Sequence, residues 1–320
     1  MEIPSVVLSS SDGSRSMPLI GMGTAVHVLD EQELKSAVIK AIKVGYRNFD
    51  SAKLYRSEKP LGEAIAEALK LGLVQSRDEL FIATKLWCTD AHRDLVVPAL
   101  HQSLKNLQLE YVDQYLIHWP ISAKPGICKF PIDKEELLPM DFRSVWAAME
   151  DCQRLGLTKS IGVCNFSCAK LETLLAHATI PPSVNQVELS PVWQQKKLRE
   201  FCEAKGIIVV AYSPLGAKGM RWGTNQVMDC QVLKEIAEAR GKTLAQVSLR
   251  WIYEQGAGLV VRSFKEERMK ENISIFDWSL SKEDYDKINQ IKQQRGMPKM
   301  AFVSPNGPYK SLQQLWDGEI

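Results

Sequence analysis

Short apolar runs alternate along the chain with longer segments in which apolar residues recur every three or four positions. The short runs are rich in Val, Ile and Leu, as is typical of buried β-strands, and the longer segments have the period of amphipathic helices. We predict eight strands, at Leu19–Thr24, Tyr46–Asp50, Leu80–Leu86, Val112–His118, Ser160–Cys164, Val184–Glu188, Ile207–Tyr212 and Leu259–Arg262. Helices are predicted at Glu31–Val44, Gly62–Leu71, Phe142–Leu155, Lys196–Lys205 and Leu244–Glu254. Alternating strands and helices form a parallel sheet, and eight such strands close an α/β fold of the (β/α)8 TIM barrel type.

Both ends of the chain carry segments outside this alternation. Near the N-terminus, Val6-Val7-Leu8, Asp12-Gly13 and Ser16-Met17-Pro18 predict a β-hairpin that plugs the barrel floor. Near the C-terminus, the Pro- and Gly-containing stretch Met297–Pro308 predicts an ordered loop over the barrel mouth and the active site. No repeat or linker divides the sequence, so residues 1–320 are expected to form a single domain.

Charge and composition narrow the class of protein. The chain has 45% apolar residues and a formal charge of +2, with acids and bases interleaved, so neither a nucleic-acid surface nor a polybasic membrane patch is indicated. No apolar run approaches the roughly 20 residues that span a bilayer, and Met1–Ser5 lacks the features of a signal peptide. We expect a cytoplasmic protein with a small-molecule partner, and a monomer as the default state.

The seven cysteines form no C-x-x-C pair and no metal-ligand spacing with histidine. An odd number of cysteines also argues against a fully paired disulfide framework. We therefore expect reduced thiols and no metal site.

Four polar residues stand at predicted strand ends or just past one: Asp50, Tyr55, Lys85 and His118. Taken singly, three of them have a structural explanation, since an Asp can cap a turn, a Tyr can pack in a loop and a Lys can extend to solvent. His118 is harder to explain in this way, because it closes the apolar run Tyr115-Leu116-Ile117, where an uncompensated polar ring would be costly. Active sites of such barrels lie at the carboxyl ends of the strands, where Asp50, Lys85 and His118 fall. We therefore predict one active site assembled from three neighbouring strands.

These residue types suit the reduction of a carbonyl group. A phenol is a weak acid, but the nearby ammonium of Lys85 would lower the pKa of Tyr55, and Asp50 would supply the counter-charge for Lys85. His118 would orient the substrate oxygen or share the proton. The hydride must come from a cofactor, because no side chain supplies one.

The usual dinucleotide fingerprint is missing, since Gly21-Met22-Gly23-Thr24-Ala25-Val26 lacks the third glycine, which argues against a Rossmann domain. The alternative phosphate site is the segment after the last strand. There Ser263 and Glu266 have the spacing of a capping box at a helix start, beside Arg262 and Arg268. This segment could bind a phosphate or could be an ordinary cap with solvated arginines.

At these residues the sequence resembles the aldo-keto reductases, from the Met17–Thr24 segment to about Trp278. Several separate motifs occur in the order found in that family. Besides the four polar residues, they are Gly162-Val163-Cys164-Asn165-Phe166, Val184-Asn185-Gln186-Val187-Glu188, Tyr212-Ser213-Pro214-Leu215-Gly216 and Glu271-Asn272. Two further segments, Val192–Cys202 and Ala245–Gly256, resemble plant members of specialised metabolism, such as chalcone, codeinone and methylecgonone reductases and deoxymugineic acid synthases.

The resemblance implies roles for particular residues. Tyr55 would be the general acid, Lys85 and Asp50 would tune it, and His118 would position the carbonyl group of the substrate. The cofactor would be NADPH/NADP+ rather than NADH, because the segment after the last strand grips a 2′-phosphate in that family. The implied cofactor contacts are Thr24, Asp50, Cys164, Asn165, Gln186, Tyr212, Ser213, Leu215, Arg262, Ser263, Arg268 and Asn272.

The sequence departs from the family pattern at several of these places. Cys164 replaces a serine that would face the nicotinamide amide, and Arg262 replaces a lysine. Lys53 replaces an alanine two residues before Tyr55, and it could add charge near the pocket or point to water. The remaining departures are Asn48 for histidine and Ser51 for threonine.

The substrate is less well defined than the reaction. Val26, His27, Trp87 and Trp119 are predicted to wall a largely apolar pocket together with His118, although each Trp could instead be core packing. The expected substrate is a ketone or aldehyde, with plant alkaloid or polyketide intermediates favoured. A cyclic imine substrate, or a non-catalytic NADPH-sensing protein, is the alternative.

Overall fold

Eight parallel strands form a closed barrel in the computed structural model, which describes residues 3–8, 15–220, 223–296 and 300–320. Going round the ring, the barrel strands are β3 (Ile20–Gly23), β4 (Asn48–Asp50), β5 (Phe81–Leu86), β6 (Val112–Ile117), β9 (Thr158–Cys164), β10 (Val184–Glu188), β11 (Ile208–Tyr212) and β12 (Gly258–Val261). Outside the barrel, β1 (Ser5–Leu8) pairs with β2 (Arg15–Pro18), and β7 (Ser122–Ala123) pairs with β8 (Leu137–Leu138), both antiparallel. The (β/α)8 barrel and the N-terminal hairpin predicted from the sequence are confirmed.

Helices cover the outside of the barrel and connect its strands. They are α1 (Glu31–Val44), α2 (Glu58–Lys70), α3 (Val96–Leu107), α4 (Phe142–Arg154), α5 (Cys168–Leu175), α6 (Lys196–Ala204), α7 (Gln226–Asp229), α8 (Gln231–Arg240), α9 (Leu244–Glu254), α10 (Glu266–Ile273), α11 (Lys282–Asn289) and α12 (Leu312–Leu315). The predicted helices are all present, but α2 begins four residues before the predicted Gly62. The helix can include Pro60 because this residue lies in the first turn. Backbone N–H groups in the first turn have no acceptor within the helix, so the N–H that proline lacks is not needed there.

Local sequence sets many helix ends. The Asp30 side chain accepts a hydrogen bond from the Glu33 backbone N–H at the start of α1, and Gly45 ends this helix with φ 117°. Thr243 and Gln246 form a capping box at the start of α9. These caps give hydrogen-bond partners to backbone N–H and C=O groups that helix termini leave unpaired. They therefore fix the residues at which the helices begin and end.

The hairpin closes the barrel floor, as predicted. Leu8 and Met17 are buried in one apolar cluster with barrel residues such as Phe81 and Leu116. The predicted turn at Asp12-Gly13 lies outside the described residues. The floor is therefore a packed core, which leaves the opposite, carboxyl end of the barrel for a site.

An ion-pair cluster ties the hairpin to the barrel. Asp113 on β6 is buried, and its carboxylate accepts hydrogen bonds from Arg15 Nε and Arg77 Nη2, each at 2.7 Å. The same carboxylate accepts from the backbone N–H of Ile82 at 2.7 Å. Charged hydrogen bonds therefore join β2, β5 and β6 at the floor.

All seven cysteines are free thiols. Within the residues that the structure describes, no helix combines the length and the apolar character needed to cross a membrane.

Candidate active site

A cavity of about 810 Å³ opens at the carboxyl end of the barrel, within the size range of ligand and cofactor pockets. Most of the residues predicted to form the site line it, from every part of the ring. These lining residues are Asp50, Tyr55, Trp87, His118, Trp119, Cys164, Asn165, Gln186, Tyr212, Ser213, Leu215, Arg262, Ser263, Arg268 and Asn272. The structure thus brings the predicted residues into one cavity.

Four predicted site residues do not line the cavity. Lys85 is buried behind Asp50, and Thr24 is also buried, with its hydroxyl bonded to the backbone oxygen of Asp50 at 2.9 Å. Val26 is half-buried and His27 is exposed, both in the segment between β3 and α1. Val26 and His27 are therefore not part of the cavity lining, although Ala25 next to them is.

Tyr55 and His118 meet on the cavity surface. Tyr55 ends a short 3-10 turn after β4, and the next residue, Arg56, has a left-handed φ of 56°. His118 follows β6 directly. The Tyr55 Oη and His118 Nε2 atoms are 3.2 Å apart, so one substrate oxygen can lie within hydrogen-bond reach of both.

A buried ion pair lies behind Tyr55. Lys85 Nζ is 2.6 Å from Asp50 Oδ1, and it also donates to the backbone oxygen of Ser51 at 3.0 Å. The other carboxylate oxygen of Asp50 accepts from Gln186 Nε2 at 2.8 Å. The Lys85 ammonium lies 4.9 Å from the centre of the Tyr55 ring, near enough to stabilise a phenolate.

Burial outweighs the ammonium in setting the pKa of Tyr55. Loss of hydration raises this pKa to about 12, although Lys85 acts to lower it. Burial also acts to lower the pKa of Lys85, but the neighbouring Asp50 carboxylate and Tyr55 raise it above its usual value. The charge of Lys85 alone predicted a lowered phenol pKa, but the loss of water around Tyr55 outweighs that charge.

Amide side chains and a thiol form the centre of the cavity. Asn165 adopts a left-handed φ of 64°, donates from Nδ2 to the backbone oxygen of His118 at 2.9 Å and accepts from the Tyr212 hydroxyl at 2.6 Å. Cys164 is buried beside it, and burial raises the pKa of its thiol, so it remains protonated. This arrangement of amides, phenol and thiol fits a carboxamide such as that of nicotinamide.

Two arginines line the side of the cavity that lies opposite His118. Arg262 follows β12 and Arg268 lies in the first turn of α10, and both line the cavity. Basic side chains near a helix start fit a phosphate group. The predicted capping box is wrong, since Lys265 is the N-cap of α10 and the Ser263 hydroxyl accepts instead from the backbone N–H of Lys265.

The side of the cavity near Tyr55 is apolar. Trp87 and Trp119 line it together with Leu54 and Phe130, which sequence reasoning missed. Leu54 directly precedes Tyr55, a signal that was available in the sequence. Phe130 lies in the long segment between β6 and α4, where no local motif identifies a pocket residue. Other lining residues missed in this way include Lys218, Met220 and Met228.

The cavity combines a tyrosine, a lysine, an aspartate and a histidine at the carboxyl end of a (β/α)8 barrel with two arginines that fit a phosphate group. This combination defines a carbonyl oxidoreductase. Comparison with known proteins assigns the family. The model of the Aldo/keto reductase family matches residues 19–293, and the chain belongs to that family.

The relatives include plant enzymes of specialised metabolism, as expected from the sequence. Deoxymugineic acid synthase 1-A of Triticum aestivum is 60% identical over 304 residues, which cover 95% of this chain and 97% of that protein. A protein of Melia azedarach named 7-acetyl-epi-neemfruitin B aldo-keto reductase is 59% identical over 320 residues, covering 100% of this chain and 99% of its own.

A solved structure extends the comparison to the cofactor. The aldo-keto reductase of Bombyx mori in complex with NADP has a TM-score of 0.80 and 36% identity, and covers 93% of this chain and 95% of its own. The protein is thus an NADP(H)-dependent oxidoreductase that acts on carbonyl groups.

Proposed function

We propose that the protein reduces a ketone or aldehyde to an alcohol, with Tyr55 as the general acid that protonates the carbonyl oxygen. The observation that supports this most directly is the 3.2 Å separation of Tyr55 Oη and His118 Nε2 on the cavity surface. NADPH, when bound, supplies the hydride. Positioned acid catalysis of this kind contributes roughly 10²–10⁴-fold in rate.

The raised pKa of Tyr55 is compatible with this role. A phenol with a pKa of about 12 stays protonated at neutral pH and is therefore ready to donate. The alkoxide that forms from a carbonyl group is a stronger base than a phenolate, so the proton moves towards it. Lys85 then stabilises the phenolate that remains, and the Asp50 carboxylate keeps Lys85 charged.

His118 is held in place to orient the substrate oxygen. Its ring contacts the Trp87 ring edge to face, with centroids 5.2 Å apart, and its backbone oxygen accepts from Asn165 Nδ2 at 2.9 Å. These contacts fix the position of Nε2, so His118 can hold a carbonyl oxygen against the Tyr55 hydroxyl.

Charge distribution around the ring favours a substrate without a carboxylate. The cations that line the cavity, Lys218, Arg262 and Arg268, follow β11 and β12, which lie opposite β5 and β6 in the eight-membered ring. On the side of Trp87 and Trp119, no described lining residue is Lys or Arg. A carboxylate there would lose its hydration without gaining a partner.

The proposed substrate class is therefore a largely apolar ketone of plant specialised metabolism, of the alkaloid or polyketide type. Aromatic rings can pack against a fused ring system and can also accept the cationic amine of an alkaloid. The plant relatives carry names of chemically different compounds, one of them an acid. The apolar wall of this chain favours the uncharged or cationic compounds over an acid.

The test is the loss of NADPH absorbance against a panel of apolar ketones, oxo acids, cyclic imines and simple aldehydes, with wild-type enzyme and Tyr55→Phe. Turnover of apolar ketones that falls by about 10²-fold or more in Tyr55→Phe, with NADPH affinity unchanged, supports the proposal. Tyr285→Phe is the matched control, because its hydroxyl bonds to Glu254 away from the cavity. Unchanged turnover in Tyr55→Phe would refute the acid role, and a small loss with imines alone would point to an imine substrate, whose carbon accepts hydride without an acid at oxygen.

A further inference from the structure

Residues 316–319 are bound to the barrel by partly buried polar contacts, and we call this segment the C-terminal latch. The Asp317 carboxylate accepts hydrogen bonds from Lys170 Nζ and from the Ser167 hydroxyl. Lys170 Nζ also donates to the backbone oxygen of Leu315 at 2.8 Å. Lys170 is only 5% exposed, so its ammonium depends on the acceptors of Leu315 and Asp317 for its compensation.

A second set of contacts fixes the other end of the latch. Glu319 Oε1 accepts from the backbone N–H of Cys168 at 3.0 Å, at the start of α5, where a carboxylate is favoured by the helix dipole. The backbone oxygen of Glu319 accepts from Arg295 Nη2 at 2.7 Å. The Arg295 guanidinium lies 3.7 Å from the ring centre of Trp316 and 4.6 Å from that of Trp193.

The latch and the segment before it lie behind the aromatic wall of the substrate cavity. Trp316 and Phe302 do not line the cavity, but their ring centres are 5.9 Å and 4.7 Å from that of Trp119, which does. Phe302 is also 5.9 Å from the ring centre of Phe130, another lining residue. The Tyr309 hydroxyl donates to the backbone oxygen of Pro120 at 2.7 Å, next to Trp119.

We propose that Lys170 and Arg295 are positioning residues that set specificity for bulky ketones, because they hold the latch and thereby hold Trp119 and Phe130 in place. This rests on the proposed function of the same cavity. Neither residue lines the cavity, so each acts through the aromatic wall and not on the substrate. A small aldehyde needs only Tyr55 and His118, whereas a fused-ring ketone also needs the wall.

The inference predicts a difference between two substrates. Lys170→Met keeps the apolar stem of the side chain and removes the ammonium, while Asp317→Ala and Glu319→Ala remove the acceptors from the latch side. In each variant we expect kcat/KM for the tricyclic ketone fluorenone to fall by roughly 10–100-fold, mainly through KM, because a displaced wall loses packing contacts that the ketone makes in the ground state and the transition state alike. Turnover of propanal and the Kd for NADPH should stay within about twofold of the wild-type values, since neither depends on the wall.

Two further variants sharpen this test. Lys170→Arg keeps the charge and should recover most of the fluorenone activity. Lys287→Met removes one partner of an exposed ion pair on α11, with Glu283, and should change nothing.

Binding of fluorenone to the NADPH complex, followed by tryptophan fluorescence in a Tyr55→Phe background, reports on the wall without turnover. A Kd that rises about tenfold or more when Lys170→Met is added supports the proposal even where the acid role of Tyr55 fails. An unchanged fluorenone Kd and KM in Lys170→Met and Asp317→Ala would overturn it. Equal losses for propanal and fluorenone, in step with a lowered Tm, would also overturn it, because they would show a merely structural role.

Discussion

Replacement of Lys85 by methionine tests how strongly its charge controls the acid. Met keeps the length of the stem but removes the ammonium that lies 4.9 Å from the Tyr55 ring centre. At this separation and an effective dielectric constant of about 20, the attraction between ammonium and phenolate is about 3.4 kcal/mol. This energy corresponds to about 2.5 pKa units, so the pKa of Tyr55 should rise further above about 12 in the variant.

The assay is NADP+-dependent oxidation of the alcohol product, in which Tyr55 must act as a base in its phenolate form. Below its pKa, the phenolate fraction falls tenfold for each unit by which the pKa rises. Between about pH 7 and 10, Lys85→Met should therefore oxidise the alcohol roughly 300-fold more slowly than wild type. At the same pH, kcat/KM for reduction should fall by the same factor, because both directions pass through one transition state and the variant leaves the overall equilibrium unchanged.

The variant leaves Asp50 buried without its counter-charge, which destabilises a protein by about 3–5 kcal/mol. Lys85→Met/Asp50→Asn removes both charges and is the control for folding. Because Asp50 itself raises the pKa of Tyr55, the double variant should oxidise the alcohol faster than Lys85→Met and more slowly than wild type. A loss of less than about tenfold in oxidation by a folded Lys85→Met enzyme would refute the electrostatic role of Lys85.

Two further predictions concern the cofactor and the barrel floor. Arg268→Ala should raise KM for NADPH by about 10–150-fold, which is the effect expected from the loss of one charged hydrogen bond. KM for NADH should stay unchanged, because NADH has no 2′-phosphate. Steady-state kinetics with both cofactors measures the two values. Asp113→Asn should lower the free energy of unfolding by about 3–5 kcal/mol in denaturant titration, because it leaves the guanidinium groups of Arg15 and Arg77 without their carboxylate. Its control is Asp151→Asn, which removes two exposed ion pairs, with Arg93 and Arg154, and should change the stability by less than about 1 kcal/mol.

Local patterns were sufficient to predict the fold. Each barrel strand is a short apolar run between helical segments, and β10 begins and ends at the predicted Val184 and Glu188. The other boundaries moved by at most two residues, as at β12, which ends at Val261 and not at Arg262. Strand ends shift easily because the hydrogen bonds of the neighbouring strand, and not the strand's own sequence, decide where pairing stops.

The arrangement of the candidate catalytic residues also followed from local sequence, but its electrostatics did not. Asp50, Lys85 and His118 could be placed together because carboxyl ends of parallel strands meet at one end of a barrel. The net pKa of Tyr55 could not be predicted, because it depends on how much water the finished fold removes from the phenol. Burial is a property of the whole cavity, and no motif around Tyr55 encodes it.

Trp87 and Trp119 of the substrate wall were predicted, but the contacts that hold the wall in place join residues distant in sequence, and for this reason the sequence did not predict those contacts. Trp119 follows β6 directly, yet the rings behind it come from Phe302 and Trp316. The contact between Lys170 and Asp317 joins α5 to residues almost 150 positions later, and neither residue lies in a recognisable motif. Catalytic residues on strand ends are fixed by the barrel itself, whereas a wall built on later segments depends on contacts such as these. A family with one reaction can therefore acquire different substrates through changes at positions far from the four proposed catalytic side chains.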